Sequence, residues 1–312
     1  MEKIWLKRYP EGMPETIDPE HYNSLLEVFE KSFSDYKDLP AFTNMGKTLS
    51  YEEIDTATKK VASYIQNDLG LKKGEKVAVM MPNLLQTPIS ILGILRAGCV
   101  VVNVNPLYTV RELEHQLKDS DTSAIFILAN FADTLEKSLA KTDVKHIVVT
   151  QVGDMVGGLK KHIVNFVVKH VKKMVPKYNL PNTIKFSDLL NADENAYTRP
   201  ELNLSDLAFL QYTGGTTGVS KGAMLSHGNM VGNLEQVSGC LDKVLDRGTE
   251  VVVTALPLYH IFALTANCLT FMKYGGLNLL ITNPRDMPGF VKELSQTKFT
   301  AITGVNLSLI HI

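Results

Sequence analysis

Four short runs, VAVMM (77–81), CVVVNVN (99–105), AIFIL (124–128) and HIVVT (146–150), are apolar along most of their length rather than at alternate positions. A strand with one face in water alternates apolar and polar residues, so continuous runs imply a sheet covered on both faces. Helical patterns separate them. The turn pair Pro82-Asn83 closes the first run, and a helix follows to Arg96 with Ile91, Leu92 and Leu95 on its apolar side. Thr109 opens another with the capping box TVRE, in which Thr109 and Glu112 satisfy each other's end of the first turn. A third runs from about Phe131 to Ala140. Strand-helix-strand order predicts parallel pairing and an α/β layered architecture.

A second βα series starts at Leu207. Its elements are the strand AFLQY, a short strand GAMLSH, and a helix with Met230, Leu234, Val237 and Leu241 on one face. VVVTALPL, a helix near 262–273, LNLLI, a helix near 288–295 and FTAITGV follow. At 312 residues the chain can bury a large core and form two subdomains. The expected division is 1–154 for the first α/β subdomain, 155–204 for a basic amphipathic connector and 205–312 for the start of a second.

The connector breaks the pattern. Met155 to Tyr178 holds six lysines and no acid. Apolar residues at 163, 164, 167, 168, 171, 174 and 175 form a helical stripe. That pattern fits a surface helix docked on the domain with its lysines in water. It also fits a basic helix at 159–177 resting on anionic lipid headgroups. Nucleic acid is not expected as a partner, because no aromatic platform or arginine cluster accompanies the lysines and the formal net charge is −1.

Val251 to Met272 carries no Lys, Arg, Asp or Glu and is long enough to span a bilayer. Pro257, His260 and Asn267 interrupt it, so a buried strand, a loop and a core helix are the better expectation. Cys99, Cys240 and Cys268 have no metal or disulfide spacing, and the N-terminus lacks a signal-peptide core. A cytoplasmic setting is expected, with peripheral contact at the inner membrane face.

YTGGTTGVSKGAML, Tyr212 to Leu225, packs four glycines, three threonines, a serine and one lysine behind an apolar strand. Gly214, Gly215, Gly218 and Gly222 are expected to turn the backbone with positive φ and to let a ligand approach it. Backbone N–H groups, threonine hydroxyls and Lys221 then suit a polyanion, phosphate above all. The stretch is not a P-loop, which needs Lys directly after Gly and then Ser or Thr, and it lacks G-x-G-x-x-G.

YTGGTTGVSKG resembles the phosphate-binding signature of the adenylate-forming superfamily, and LPLYHIFAL (256–264) resembles its next motif. With PNLLQTPISILGILRAG, VNVNPLYTVRELEHQLKDS and LLITNPRD, the likeness is to bacterial long-chain fatty acid–CoA ligases and extends to about Asn306. The resemblance implies the large N-terminal domain of that fold and a two-step reaction. ATP converts a carboxylate to an acyl-adenylate with loss of pyrophosphate, and coenzyme A then displaces AMP. By resemblance Tyr212, Thr213, Gly214, Gly215, Thr216, Thr217, Gly218, Lys221 and Gly222 hold the ATP phosphates, with Thr213 also near Mg²⁺. His260 would lie beside the substrate carboxylate and, with Lys221, be catalytic; Phe262 would border the acyl-adenylate and Arg285 would meet coenzyme A.

Moving about fourteen methylenes out of water is worth up to roughly 11 kcal/mol, so a long-chain enzyme needs an apolar tunnel, and residues 251–266 could line part of it. Three alternatives stand beside this reading: an aryl- or medium-chain ligase of the same superfamily, a non-catalytic nucleotide-binding protein at the membrane, and a protein spanning it through 251–272. The family's later part, with a Mg²⁺-binding glutamate, a ribose-holding aspartate and a small mobile domain with a catalytic lysine, is not matched here. An incomplete N-terminal portion, binding nucleotide without turnover, is therefore expected. LSLIHI (307–312) departs from the family pattern and is expected to be non-native.

Overall fold

The computed structural model describes residues 2–214 and 220–305. The first part of the chain forms α1 (Leu25–Asp35), β1 (Pro40–Asn44), β2 (Lys47–Ser50), α2 (Tyr51–Asn67), β3 (Lys76–Met80), α3 (Gln86–Arg96) and β4 (Val100–Asn103). Then come α4 (Val110–Asp119), β5 (Thr122–Leu128), α5 (Ala132–Leu139), β6 (His146–Thr150), α6 (Gly158–Phe166), β7 (Thr183–Lys185) and α7 (Phe186–Leu189). The remainder supplies β8 (Leu207–Thr213), β9 (Lys221–Ser226), α8 (His227–Leu241), β10 (Val251–Thr254), α9 (Ile261–Ala263) and α10 (Thr270–Lys273). It ends with β11 (Leu277–Leu280), α11 (Met287–Gln296) and β12 (Ala301–Ile302). The capping box at Thr109 forms as expected: Thr109 Oγ1 accepts from the Glu112 N–H, and the Glu112 carboxylate accepts from the Thr109 N–H at 2.8 Å.

Seven strands form one sheet in the order β7-β6-β5-β3-β4-β8-β9, parallel throughout except for the β8–β9 hairpin. Its continuous apolar strands serve two cores at once. Val77, Val79, Phe126 and Val148 enter one hydrophobic cluster, while Ala78, Met80, Ile125 and Ile147 enter the other. Successive side chains of a strand point to opposite faces, so a sheet with helices on both sides needs apolar residues at every position.

A second sheet has the order β12-β10-β11-β1-β2, parallel except for β1–β2. Each sheet draws strands from both sides of residues 155–204: β8 joins β4, and β1 joins β11. The stretch 251–272 is β10, a loop, and a helical run of α9, the π-helical turn Leu264–Leu269 and α10, closed by Lys273. Cys268 within it is fully buried, and burial pushes its thiol up to about 12. Among the described residues no helix is long and apolar enough to cross a membrane.

The connector departs from the single stripe that its periodicity suggested. α6 gives way to a π-helical turn at Val167–Val171, and Lys173 takes φ 52°. Val164 and Val168 pack against the core, but Ile163 is 55% exposed, Val171 65% and Met174 51%. Widening the turn from 3.6 residues rotates the later positions, Val171 and Met174, off the docked face, while Ile163 already faces solvent before the turn begins. Two of the four glycines in 214–222 also depart from expectation, since neither Gly214 nor Gly222 has a positive φ; Gly215 and Gly218 lie outside the described residues.

α8 is seated by a buried histidine. Ser226 caps the helix, and the next residue, His227, uses Nδ1 to accept the Leu25 N–H at the start of α1, at 3.2 Å. Burial lowers its pKa from the ordinary 6.5 to about 4. The unfolded chain therefore binds a proton below pH 6.5 that the folded chain refuses until about pH 4. This contribution is fully present above pH 6.5 and is lost progressively toward pH 4, amounting to roughly 3 kcal/mol. Urea denaturation at pH 7 and pH 4.5 should show that loss in the parent chain and a smaller one in His227→Gln. Equal pH dependence in both would rule out His227 as its source.

Candidate nucleotide-binding site

The hairpin β8–β9 carries the glycine-rich stretch at the open end of its ladder. β8 is held by β4 on one side, with Val102 opposite Leu210 and Asn103 opposite Gln211. On the other side Tyr212 pairs with Gly222 and Thr213 with Lys221. Thr213, Gly214 and Lys221 are exposed together at this mouth. Gly215, Thr216, Thr217 and Gly218 lie outside the described residues.

Tyr212 points the other way, into the core. It is 7% exposed, and its hydroxyl donates to Asp119 Oδ2 at 2.6 Å. Burial, reinforced by that carboxylate, holds the hydroxyl well above its ordinary range. A Cβ on Gly222 would lie 2.9 Å from the Tyr212 ring, so this glycine is required by close packing rather than by its φ. Beyond it, His115 Nε2 lies 3.0 Å from the Ser220 carbonyl, a geometry met by the Nε2–H tautomer. The middle and the C-terminal end of α4 thus brace the root of the hairpin.

The loop 255–260 is held by buried amides. Asn83 Nδ2 donates to the Thr254 and Leu256 carbonyls, each at 2.9 Å, while Asn83 Oδ1 accepts the Leu258 N–H at 2.9 Å. Thr282 Oγ1 donates to the Asn83 carbonyl at 3.0 Å, so the loop, the end of β11 and the β3–α3 turn are fastened together. From the same seven-stranded sheet as β3, Gln211 Nε2 donates to the Tyr259 carbonyl at 3.0 Å, and Asn103 Nδ2 donates to Gln211 Oε1 at 3.1 Å. Gln211 is two residues before Thr213 on β8, which places them on one face of the strand. One strand therefore holds both the root of the glycine-rich stretch and the loop that carries His260.

His260 is exposed and caps α9, its Nδ1 accepting the Phe262 N–H at 3.3 Å. Phe262 is 47% exposed. Arg285 is exposed just past β11, where its N–H donates to Asn283 Oδ1 at 3.2 Å. Asp286 caps α11 instead of pairing with it. Burial raises the Tyr259 hydroxyl pKa and the Arg285 charge opposes that rise, which puts Arg285 beside the same loop. Sequence reasoning missed Asn83, Asn103, Gln211 and His115. The available signal was a polar side chain inside an otherwise apolar strand, as in AFLQY and CVVVNVN.

The exposed main chain at Gly214, the Thr213 hydroxyl and the Lys221 ammonium form a donor set for phosphate oxygens. Mg²⁺ takes six oxygen ligands and binds proteins through few of them when phosphates are present. Among the described residues no cluster of three His, Cys, Asp or Glu side chains could hold a metal by itself. Thr213 Oγ1 fits the ion as one ligand alongside phosphate oxygens and water.

The family described as AMP-binding enzyme matches residues 29–312. The chain is 59% identical over 307 residues to a long-chain-fatty-acid–CoA ligase of Escherichia coli O6:H1, covering 98% of this chain and 55% of that protein. It is 51% identical over 309 residues to one of Haemophilus influenzae, with 98% and 55% covered. A crystal structure of a long-chain-fatty-acid-CoA ligase from Archaeoglobus fulgidus superposes with a TM-score of 0.77. That alignment covers 97% of this chain and 55% of the other at 22% identity, which shows the fold alone. The chain thus spans about half the length of the curated relatives it matches.

Two substitutions test the geometry. Gly222→Ala should push against the Tyr212 ring and lose about 1–3 kcal/mol in urea denaturation; unchanged stability would remove that contact as the reason for glycine. Asn83→Ala leaves two carbonyls and one N–H of the loop unpartnered. It should lose roughly 3 kcal/mol and expose 255–260 to limited proteolysis. An uncut loop in that variant would show that other contacts hold it.

Proposed function

The chain belongs to the AMP-binding enzyme family, and from that membership we propose that it provides the ATP-binding part of a long-chain fatty acid–CoA ligase. The observation that carries the reading is 59% identity over 98% of the chain to a ligase of that name. The same identity disfavours an aryl- or medium-chain acid as substrate.

In the proposed reaction a fatty carboxylate oxygen attacks the α-phosphorus of ATP, forming the P–O bond of an acyl-adenylate as the bond to pyrophosphate breaks. The thiolate of coenzyme A then attacks the acyl carbon, and AMP leaves. Catalysis of the first step is mainly alignment and neutralisation of charge. Thr213, Gly214, Gly215, Thr216, Thr217 and Lys221 hold the phosphate tail, and Gly218 and Gly222 shape the hairpin around it. Tyr212 acts from behind, fixing the strand through Asp119. Through Oγ1, Thr213 would be the side chain that holds Mg²⁺, which would supply charge neutralisation on the phosphates when bound. His260 sits at the acyl carboxylate, Phe262 borders the adenylate and Arg285 meets coenzyme A. The mouth at Thr213 and Lys221 and the clamped 255–260 loop share β8, which supports phosphate and carboxylate meeting in one place.

The exposed apolar side chains and lysines of 159–177 support peripheral attachment to an anionic membrane surface. Long-chain acids partition into bilayers, so a cytoplasmic enzyme resting on the inner face would meet its substrate there.

Calorimetric titration of the chain with ATP and Mg²⁺ tests the nucleotide reading. Lys221→Ala should weaken binding roughly tenfold or more, with the circular dichroism spectrum unchanged, because it removes a charge-assisted hydrogen bond to phosphate. Palmitate, but not cinnamate, should enhance nucleotide retention. Absence of ATP binding by the folded chain, or equal affinity in Lys221→Ala, would refute the assignment of this hairpin.

A further inference from the structure

The connector and the sheet edge beside it enclose a cavity of ≈ 600 Å³ that the nucleotide site does not use. Its floor includes Val149 of β6 with Ile184 and Lys185 of β7, the outermost strand of its sheet. Its wall is one face of α6 and the π-helical turn, carrying residues 161 and 162, 165 and 166, and 169 and 170. That spacing of four is what a helix widening into a π turn sustains along one side. Val164 and Val168, between these pairs, hold the segment onto the core.

The lining is cationic. Lys161, Lys169 and Lys185 face the cavity along with His162 and His170, and Asp154 is the one acid among the described lining residues. The Asp154 carboxylate is already engaged. It accepts from Thr150 Oγ1 at 3.1 Å, the Gln151 N–H at 2.8 Å and Asn165 Nδ2 at 3.0 Å, and Lys161 Nζ lies 3.9 Å away. Three lysines against one engaged carboxylate leave a positive field in a concave site, where low-dielectric walls concentrate it.

The mouth is also apolar. Phe166 lines the cavity yet is 60% exposed, with its ring 5.0 Å from that of His170. Leu159 (76% exposed) and Ile163 (55%) lie on the same helix with nothing packed over them. An inorganic anion would use the cations and leave these side chains in water. A ligand with an anionic head and hydrocarbon tails uses both.

We propose that this cavity receives the phosphate-bearing headgroup of an anionic phospholipid, with the acyl chains lying against Leu159, Ile163 and Phe166. The inference rests on the membrane contact proposed above and adds a defined headgroup site to it. In this arrangement Lys161, Lys169 and Lys185 contact the phosphodiester, and Lys172 and Lys173, outside the cavity lining, contribute only diffuse attraction.

Flotation with vesicles of 70% phosphatidylcholine and 30% phosphatidylglycerol separates the two claims. Each lysine near an anionic surface is worth about fivefold in partitioning. The charge-matched control Lys172→Gln/Lys173→Gln, which removes diffuse attraction alone, should therefore weaken binding by at most about 25-fold, and Lys169→Gln/Lys185→Gln, which also removes contacts to the phosphodiester, should weaken it clearly more. Monomeric dihexanoyl-phosphatidylglycerol should shift the ring proton resonances of His162 and His170 in the parent chain and not in Lys169→Gln/Lys185→Gln. Equal loss in the two vesicle pairs, or no histidine shift with the short-chain lipid, overturns the cavity site while leaving the membrane contact standing. Shifts produced by inorganic phosphate but not by the lipid overturn the lipid assignment. No flotation at all refutes the membrane contact itself.

Discussion

The buried amide of Asn83 is the interaction on which the rest of the site depends. All of its hydrogen-bonding capacity toward the loop is used: two N–H donors go to the Thr254 and Leu256 carbonyls, and the oxygen takes the Leu258 N–H. A loop leaving a buried strand exposes main-chain groups that water cannot reach, and leaving them unpaired is expensive. Asn83 comes from the turn after β3 in the other sheet, so satisfying these groups also joins the two sheets. Gln211 repeats the device from β8 by holding the Tyr259 carbonyl.

The hairpin that follows Gln211 is braced at its root. Tyr212 is anchored on Asp119, Ser220 is held near His115, and Gly222 makes room for the tyrosine ring. Anchoring of this kind fixes the strand that carries Thr213, and under the proposed function it would let Thr213 and Lys221 meet an anion without loss of order, the preorganisation that charge-stabilising sites need. Two cysteines, Cys99 and Cys268, are sequestered in cores, and burial pushes both thiols up to about 12, so they are inert packing groups beside this chemistry.

Much of the architecture was legible in the chain. The apolar runs at 77–81, 99–105, 124–128 and 146–150 became β3 to β6, because a run that is apolar at every position can only be satisfied between two layers. The Thr109 capping box was readable for a similar local reason: its partners are three residues apart. The connector was half legible. Its periodicity announced a helix, yet the π-helical turn at Val167–Val171 divided the expected stripe between the core and solvent. Gly222 was recognised as necessary but expected to take a positive φ, which it does not; the ring it accommodates is on the neighbouring strand.

The sequence by itself determined the layered α/β class, the order of its parallel strands along the chain, and the composition of the glycine-rich hairpin. These rest on patterns a few residues long, where propensity and periodicity act without reference to distant partners. Tertiary structure alone decided that residues 40–50 complete a sheet with residues 251–302, that Asn83 and Gln211 hold the His260 loop, and that a cationic cavity lies beside β7. Each of those pairs groups far apart in the chain, and which buried polar group meets which is settled only when packing excludes water from both.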